Sequence, residues 1–124
     1  MRLLTHNMLS SQMIKGVKVG FPLRIEAVKV EVKPEEFDAD FLLGLLPKLE
    51  YDALLEAARL LGHADGLPGE LTEELLQSDT VLRALHHALL EVHVEEGMLI
   101  CPETGRRFPV THGIPNMLLN EDEV

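Results

Sequence analysis

The sequence predicts an α+β fold in which β-rich segments toward the two chain ends flank a helical block. Two patterns carry this expectation. Apolar and charged residues alternate from Phe21 to Val32 and again in short runs after Val92, whereas apolar residues between Asp38 and Val92 recur at helical spacing. The chain has 124 residues, enough for one compact domain or a small domain carrying an insertion. The division expected is a β unit built from residues 1–33 and 92–124, and a helical insertion over 34–91.

The first strand is read from Leu23, Ile25 and Ala27 against Arg24 and Glu26, followed by Val28, Val30 and Val32 against Lys29 and Glu31. The apolar phase slips near Ala27-Val28, which a β-bulge explains. Pro34 closes the strand, and Asp38 is placed to cap a helix reaching about Leu46. A second helix spans about Glu50–Leu61, with Gly62 where a left-handed C-cap residue is wanted, and residues 62–69 read as loop. Ser78 and Asp79 start a third helix whose stripe is Val81, Leu82, Leu85, Leu89 and Val92. Beyond it, Val92-His93-Val94, Met98-Leu99-Ile100 and Arg107-Phe108-Pro109-Val110 read as short strands, with Glu95-Glu96-Gly97 as a turn. Tryptophan is absent, so Phe21, Phe37, Phe41 and Phe108 are expected as the bulkiest core pieces.

Composition narrows the function. Eleven basic and twenty-one acidic residues give a net charge of −10, a surface that repels phosphate backbones. Direct nucleic-acid binding is therefore disfavoured. The single cysteine, Cys101, cannot form an internal disulfide, and the start Met1-Arg-Leu-Leu-Thr-His has no apolar run of the signal-peptide kind, so a reducing intracellular compartment is expected. No stretch approaches the roughly 20 apolar residues of a membrane span.

The residues that might carry chemistry are each better explained by structure. Cys101-Pro-Glu-Thr-Gly105 occupies the turn where a zinc-binding knuckle would carry two cysteines, but the second thiol is missing and zinc is not expected with Cys101 alone. His86 and His87 are neighbours pointing about 100° apart on a helix, poorly placed to grip one metal; core edge and solvated face account for them. Glu35, Glu36, Asp38 and Asp40 lie where helix capping and dipole effects place acids. Ser10-Ser11 lacks the setting of a nucleophile, and no glycine-rich phosphate loop or dinucleotide fingerprint occurs, so no cofactor is expected on this chain. Arg106-Arg107 reads as a solvated turn. Two rival functions follow from these groups: a nucleic-acid-recruiting ribbon using Arg24, Arg106 and Arg107, and an enzyme using His86 or His87.

Gly113-Ile-Pro-Asn-Met-Leu-Leu119 is apolar and runs straight into Asn120-Glu-Asp-Glu123. It either folds back on its own sheet or offers an edge and apolar side chains to another protein.

Met1-Arg-Leu-Leu-Thr-His-Asn-Met-Leu-Ser10, Phe21-Pro-Leu-Arg24, Leu85-His-His-Ala-Leu-Leu-Glu91, Cys101-Pro-Glu-Thr-Gly105 and the Gly113–Leu119 run together resemble the eukaryotic multifunctional methyltransferase subunit family. The resemblance covers nearly the whole chain. It implies a small antiparallel zinc-ribbon-like sheet formed by both chain ends, with a helical insertion between them. It further implies a non-enzymatic subunit that activates several class I S-adenosylmethionine-dependent methyltransferases as heterodimers. Their substrates in the family are tRNA, small-subunit rRNA and a translation termination factor, so RNA is met mainly through the partner, in cytoplasm and nucleus. S-adenosylmethionine belongs on the partner. The four-cysteine form of the family has two N-terminal cysteines and a C-terminal pair, where this chain has Ser10, Ser11, Gly16, Cys101 and Thr104. The partner-interface residues expected are Phe21, Ile114, Pro115, Asn116, Met117 and Leu118.

Overall fold

The computed structural model describes all 124 residues. In chain order the elements are α1 (Leu3–Met8), β1 (Arg24–Val32), α2 (Ala39–Leu45), α3 (Tyr51–Leu61), α4 (Asp79–His86), β2 (Val92–Ile100), β3 (Arg107–Thr111) and β4 (Ile114–Pro115). The four strands form one antiparallel sheet in the order β1-β2-β3-β4, joining the two ends of the chain. The expected α+β fold with a helical insertion is therefore what forms. One core of 19 residues runs through sheet and helices, with Leu3, Leu54, Leu85, Leu89, Val92, Leu99 and Phe108 fully buried in it.

Local signals explain the helix boundaries. The Asp38 side chain accepts a hydrogen bond from the Phe41 amide at 3.0 Å and opens α2. Gly62, at φ +78°, closes α3 in the left-handed conformation that glycine adopts without penalty. Ser78 caps α4, but the helix does not stay regular: His87–Glu91 forms a π turn leading directly into β2. Ala88, Leu89 and Leu90 are buried together in this wider turn.

The slip at Ala27-Val28 is a bulge. Ala27 pairs with Gly97 and Lys29 with Glu96, leaving Val28 unpaired and 84% exposed; Val30 then pairs with Val94, leaving Glu95 as the extra residue on β2. Glu95-Glu96-Gly97 is consequently not a turn, and β2 runs unbroken from Val92 to Ile100. The acidic pair and the glycine imitate turn chemistry, yet Gly97 is there because a Cβ would lie 2.3 Å from the Glu26 carbonyl oxygen.

Two further expectations are corrected. Of the four phenylalanines only Phe108 is fully buried; Phe21 and Phe37 are half-buried and Phe41 is 52% exposed, because leucines of the helices fill the centre. No capping signal announces α1, whose stability is tertiary. The Asn7 side chain exchanges two hydrogen bonds with the Glu50 backbone, 2.8 and 2.9 Å long, and His6 Nε2 donates to the Leu23 carbonyl at 2.7 Å.

Candidate functional site

The 114–118 segment occupies an outer edge of the sheet. His112 (φ +52°) and Gly113 (φ +76°) form the two-residue turn of the β3–β4 hairpin, a geometry that needs positive φ at both positions. Thr111 faces Ile114, and the Asn116 amide donates to the Pro109 carbonyl at 2.8 Å. Pro109 has no N–H to return that bond, and regular pairing ends after Pro115.

The alternation of exposure continues beyond β4. Ile114, Asn116 and Leu118 are exposed, whereas Pro115, Met117 and Leu119 are half-buried, with Met117 and Leu119 packed on the core. Ile114 is 70% and Leu118 79% exposed, high values for side chains of their size. The backbone alternates as well: Asn116 bonds inward to β3, so Pro115 and Met117 direct their main-chain groups to the free edge. Pro115 offers no donor there, and the Met117 amide makes no hydrogen bond within the chain. A shallow cleft of about 630 Å³ runs along this edge from Pro109 to Leu118.

Arg106 holds this segment in place. Its guanidinium makes an ion pair with Glu123 at 2.7 Å, donates to the Leu118 carbonyl at 3.3 Å and lies 4.7 Å from the centre of the Phe108 ring. The Arg106 hydrogen bond keeps the Glu123 carboxyl below its ordinary range. Arg107 pairs with Glu26 across the sheet at 2.9 Å.

Phe21 lies three residues before β1, at the sheet end that carries the Cys101 turn. Residues 9–20 bridge that end: the Lys18 and Val19 amides donate to Glu103, and the Lys15 amide donates to the Glu123 carbonyl at 2.7 Å. Phe21 and Leu118 thus share one end of the sheet, while Ile114 lies along the β4 edge. Met8, Met13 and Val19 are exposed large apolar residues on α1 and the bridging loop. Sequence reading missed Met13 and Val19 because isolated apolar residues in a loop carry no periodic signal.

Cys101 is buried, and its sulfur accepts from the Thr104 amide at 3.4 Å. Burial pushes the thiol up, but hydrogen bonds from Ser11 and Thr104 together bring it below its ordinary value. Ser11 is fully buried and hydrogen-bonded to the Gly20 carbonyl. One thiol beside two hydroxyl side chains is not the donor set of a structural zinc site, and no group of three or more His, Cys, Asp or Glu side chains converges to hold a metal.

The histidines form a structural network. His86 is buried, contacts Phe37 edge-on and donates from Nε2 to the Glu35 carbonyl at 3.0 Å. His87 bonds Glu91 at 2.9 Å and His63 at 3.2 Å. Glu91 also accepts from the Glu35 amide, which holds its carboxyl below the usual range. These groups tie the β1–α2 linker to the π turn. Glu36, Asp38 and Asp40 line an open surface hollow with Phe37 and Ala39.

Comparison with known proteins identifies the family and supports the fold. The family model described as Trm112p-like protein matches residues 2–113. The chain is 59% identical to the multifunctional methyltransferase subunit TRM112 homolog A of Arabidopsis thaliana over 126 residues, covering 100% of both chains. It is 52% identical to the TRM112-like methyltransferase subunit of Mus musculus, covering 99% of this chain and 98% of that one. Its fold is similar to a chain in the E. cuniculi Mtq2-Trm112 complex, which methylates the translation termination factor eRF1. The TM-score is 0.55 at 18% identity, with 95% of each chain covered.

Proposed function

The chain belongs to the Trm112p-like family, and from that premise we propose that it acts as the non-catalytic, activating and stabilising subunit of several S-adenosylmethionine-dependent methyltransferases. The relatives are named as multifunctional methyltransferase subunits, and the structural neighbour is a Mtq2-Trm112 complex acting on eRF1. By this reading the substrates are tRNA, small-subunit rRNA and a termination factor, all met through the partner. The methyl donor sits on the partner, and the complexes work in cytoplasm and nucleus. No helix of the chain is long and apolar enough to cross a membrane.

The observation that carries the reading is the outward row Ile114, Asn116, Leu118 beside a Met117 amide without an intrachain partner on an open sheet edge. A partner strand laid against that edge satisfies the main chain, while Ile114 and Leu118 enter apolar surface of the partner. Phe21 and the exposed loop residues extend the contact around the Cys101 end. A partner whose apolar face is covered in this way is stabilised by mass action, since the subunit binds its folded form. Activation then needs no chemistry from this chain.

The test is affinity purification of the tagged chain from eukaryotic cells, with the eluate assayed for methyl transfer to RNA. Several co-purifying methyltransferases and donor-dependent transfer are expected. An eluate without any methyltransferase contradicts the proposal.

A further inference from the structure

Away from the β4 edge, a second concave surface lies between α3 and the head of β1. It is a groove of about 380 Å³, within the range of ligand pockets, with Leu23, Ile25, Ala53, Ala57 and Leu60 as its apolar lining. Leu60 is exposed although it follows the helix face that builds the core.

The arginines around this groove differ from the others in the molecule. The chain has six arginines, and four of them are paired: Arg2 with Glu35, Arg83 with Asp79, Arg106 with Glu123 and Arg107 with Glu26. The two without a carboxylate partner, Arg24 and Arg59, both line the groove. In a protein of net charge −10, two unpaired guanidinium groups beside one apolar hollow are a local reversal of sign. Arginine is also the side chain best shaped for bidentate carboxylate recognition. Glu56 shares the wall, leaving the lining positive by about one charge, and Asp52 lines the adjoining hollow with Arg59.

His6 lines the groove and is 2% exposed. Its Nε2 donates to the Leu23 carbonyl, so the neutral ring presents Nδ1 as a bare acceptor, and that atom has no partner in the fold. His6 is thus part of the groove's wall, with its Nδ1 enclosed in the fold.

We propose that this groove docks an acidic, leucine-bearing linear peptide of a partner protein, its carboxylates on Arg24 and Arg59 and its apolar side chain against Ala57 and Leu60. The groove lies apart from the β4 edge, and its Pro22 and Leu23 directly follow Phe21 in the chain. The acidic remainder of the surface repels anionic segments, which confines such a peptide to this groove.

The test uses the full chain and a fluorescein-labelled hexapeptide alternating glutamate and leucine, followed by fluorescence anisotropy at low and moderate salt. Saturable binding that weakens with salt is expected. R24Q/R59Q weakens it at least tenfold, the glutamine-for-glutamate peptide loses as much, and L60E loses binding with an unchanged circular dichroism spectrum. Amide resonances of Ala53, Ala57 and Leu60 shift on titration. The proposal is overturned if R24Q/R59Q binds the peptide as the parent does, if the shifts fall on residues 114–118, or if only decanoate or a uridine decamer binds.

Discussion

Replacing Ile114 and Leu118 together by alanine separates binding from folding. Fully burying an isoleucine or leucine side chain contributes about 1.5–3 kcal/mol. Ile114 is 70% and Leu118 79% exposed, so most of that gain remains to be made on association. The pair then contributes about 2–4.5 kcal/mol, a loss of roughly 30-fold to 2,000-fold in affinity when both are truncated. Because neither side chain packs in the core, the unfolding free energy should change by no more than about 0.5 kcal/mol. The assay is titration calorimetry of a methyltransferase partner with parent and double variant, alongside urea unfolding of each. A change in affinity below threefold, with folding intact, refutes the assignment of the outward row to the interface. Met117→Ala is the contrasting variant: its side chain packs inward, so it should cost stability first.

Other outcomes follow from the same structure. Gly97→Ala should destabilise the sheet by at least about 2 kcal/mol in urea unfolding, since the added methyl meets the Glu26 carbonyl at 2.3 Å and only backbone movement relieves it. Asp38→Ala should cost about 1 kcal/mol by removing the bond to the Phe41 amide, read from the same unfolding curves. Burial holds His6 and His93 below their ordinary value of 6.5. The unfolded chain therefore binds more protons just below that pH, and stability falls as pH drops through about 6.5 toward the folded values. His6→Gln should flatten part of that slope between pH 7.5 and 5.5; an unchanged slope argues that His6 does not contribute.

What was legible in the sequence was what rests on local rules. Asp38, Gly62 and Ser78 mark helix ends because capping is a local hydrogen bond or a local φ requirement, and the phase slip at Ala27-Val28 showed the bulge. The misreadings share one origin in tertiary compensation. Glu95-Glu96-Gly97 has turn residues, but the paired strand needs the extra Glu95 and a residue without Cβ at 97. Phe41 looks like core by type and spacing, yet α2 turns it outward while Leu42 is buried. The candidate interface was legible as a segment and not as a face. Ile114 to Leu118 stood out as an apolar run, but only pairing with β3 sorts it into an outward and an inward row. Arg106 looked like a solvated turn residue because its partner Glu123 lies 17 positions away.

The central claim is tested most directly by reconstitution. A methyltransferase of the Mtq2 type, prepared alone, is assayed for methyl transfer from S-adenosylmethionine to its substrate as this chain is titrated in. The account predicts that transfer rises to a plateau at one equivalent, that the I114A/L118A variant shifts the curve to much higher concentration, and that the chain alone transfers nothing. Equal transfer with and without the chain, or turnover by the chain by itself, would contradict it.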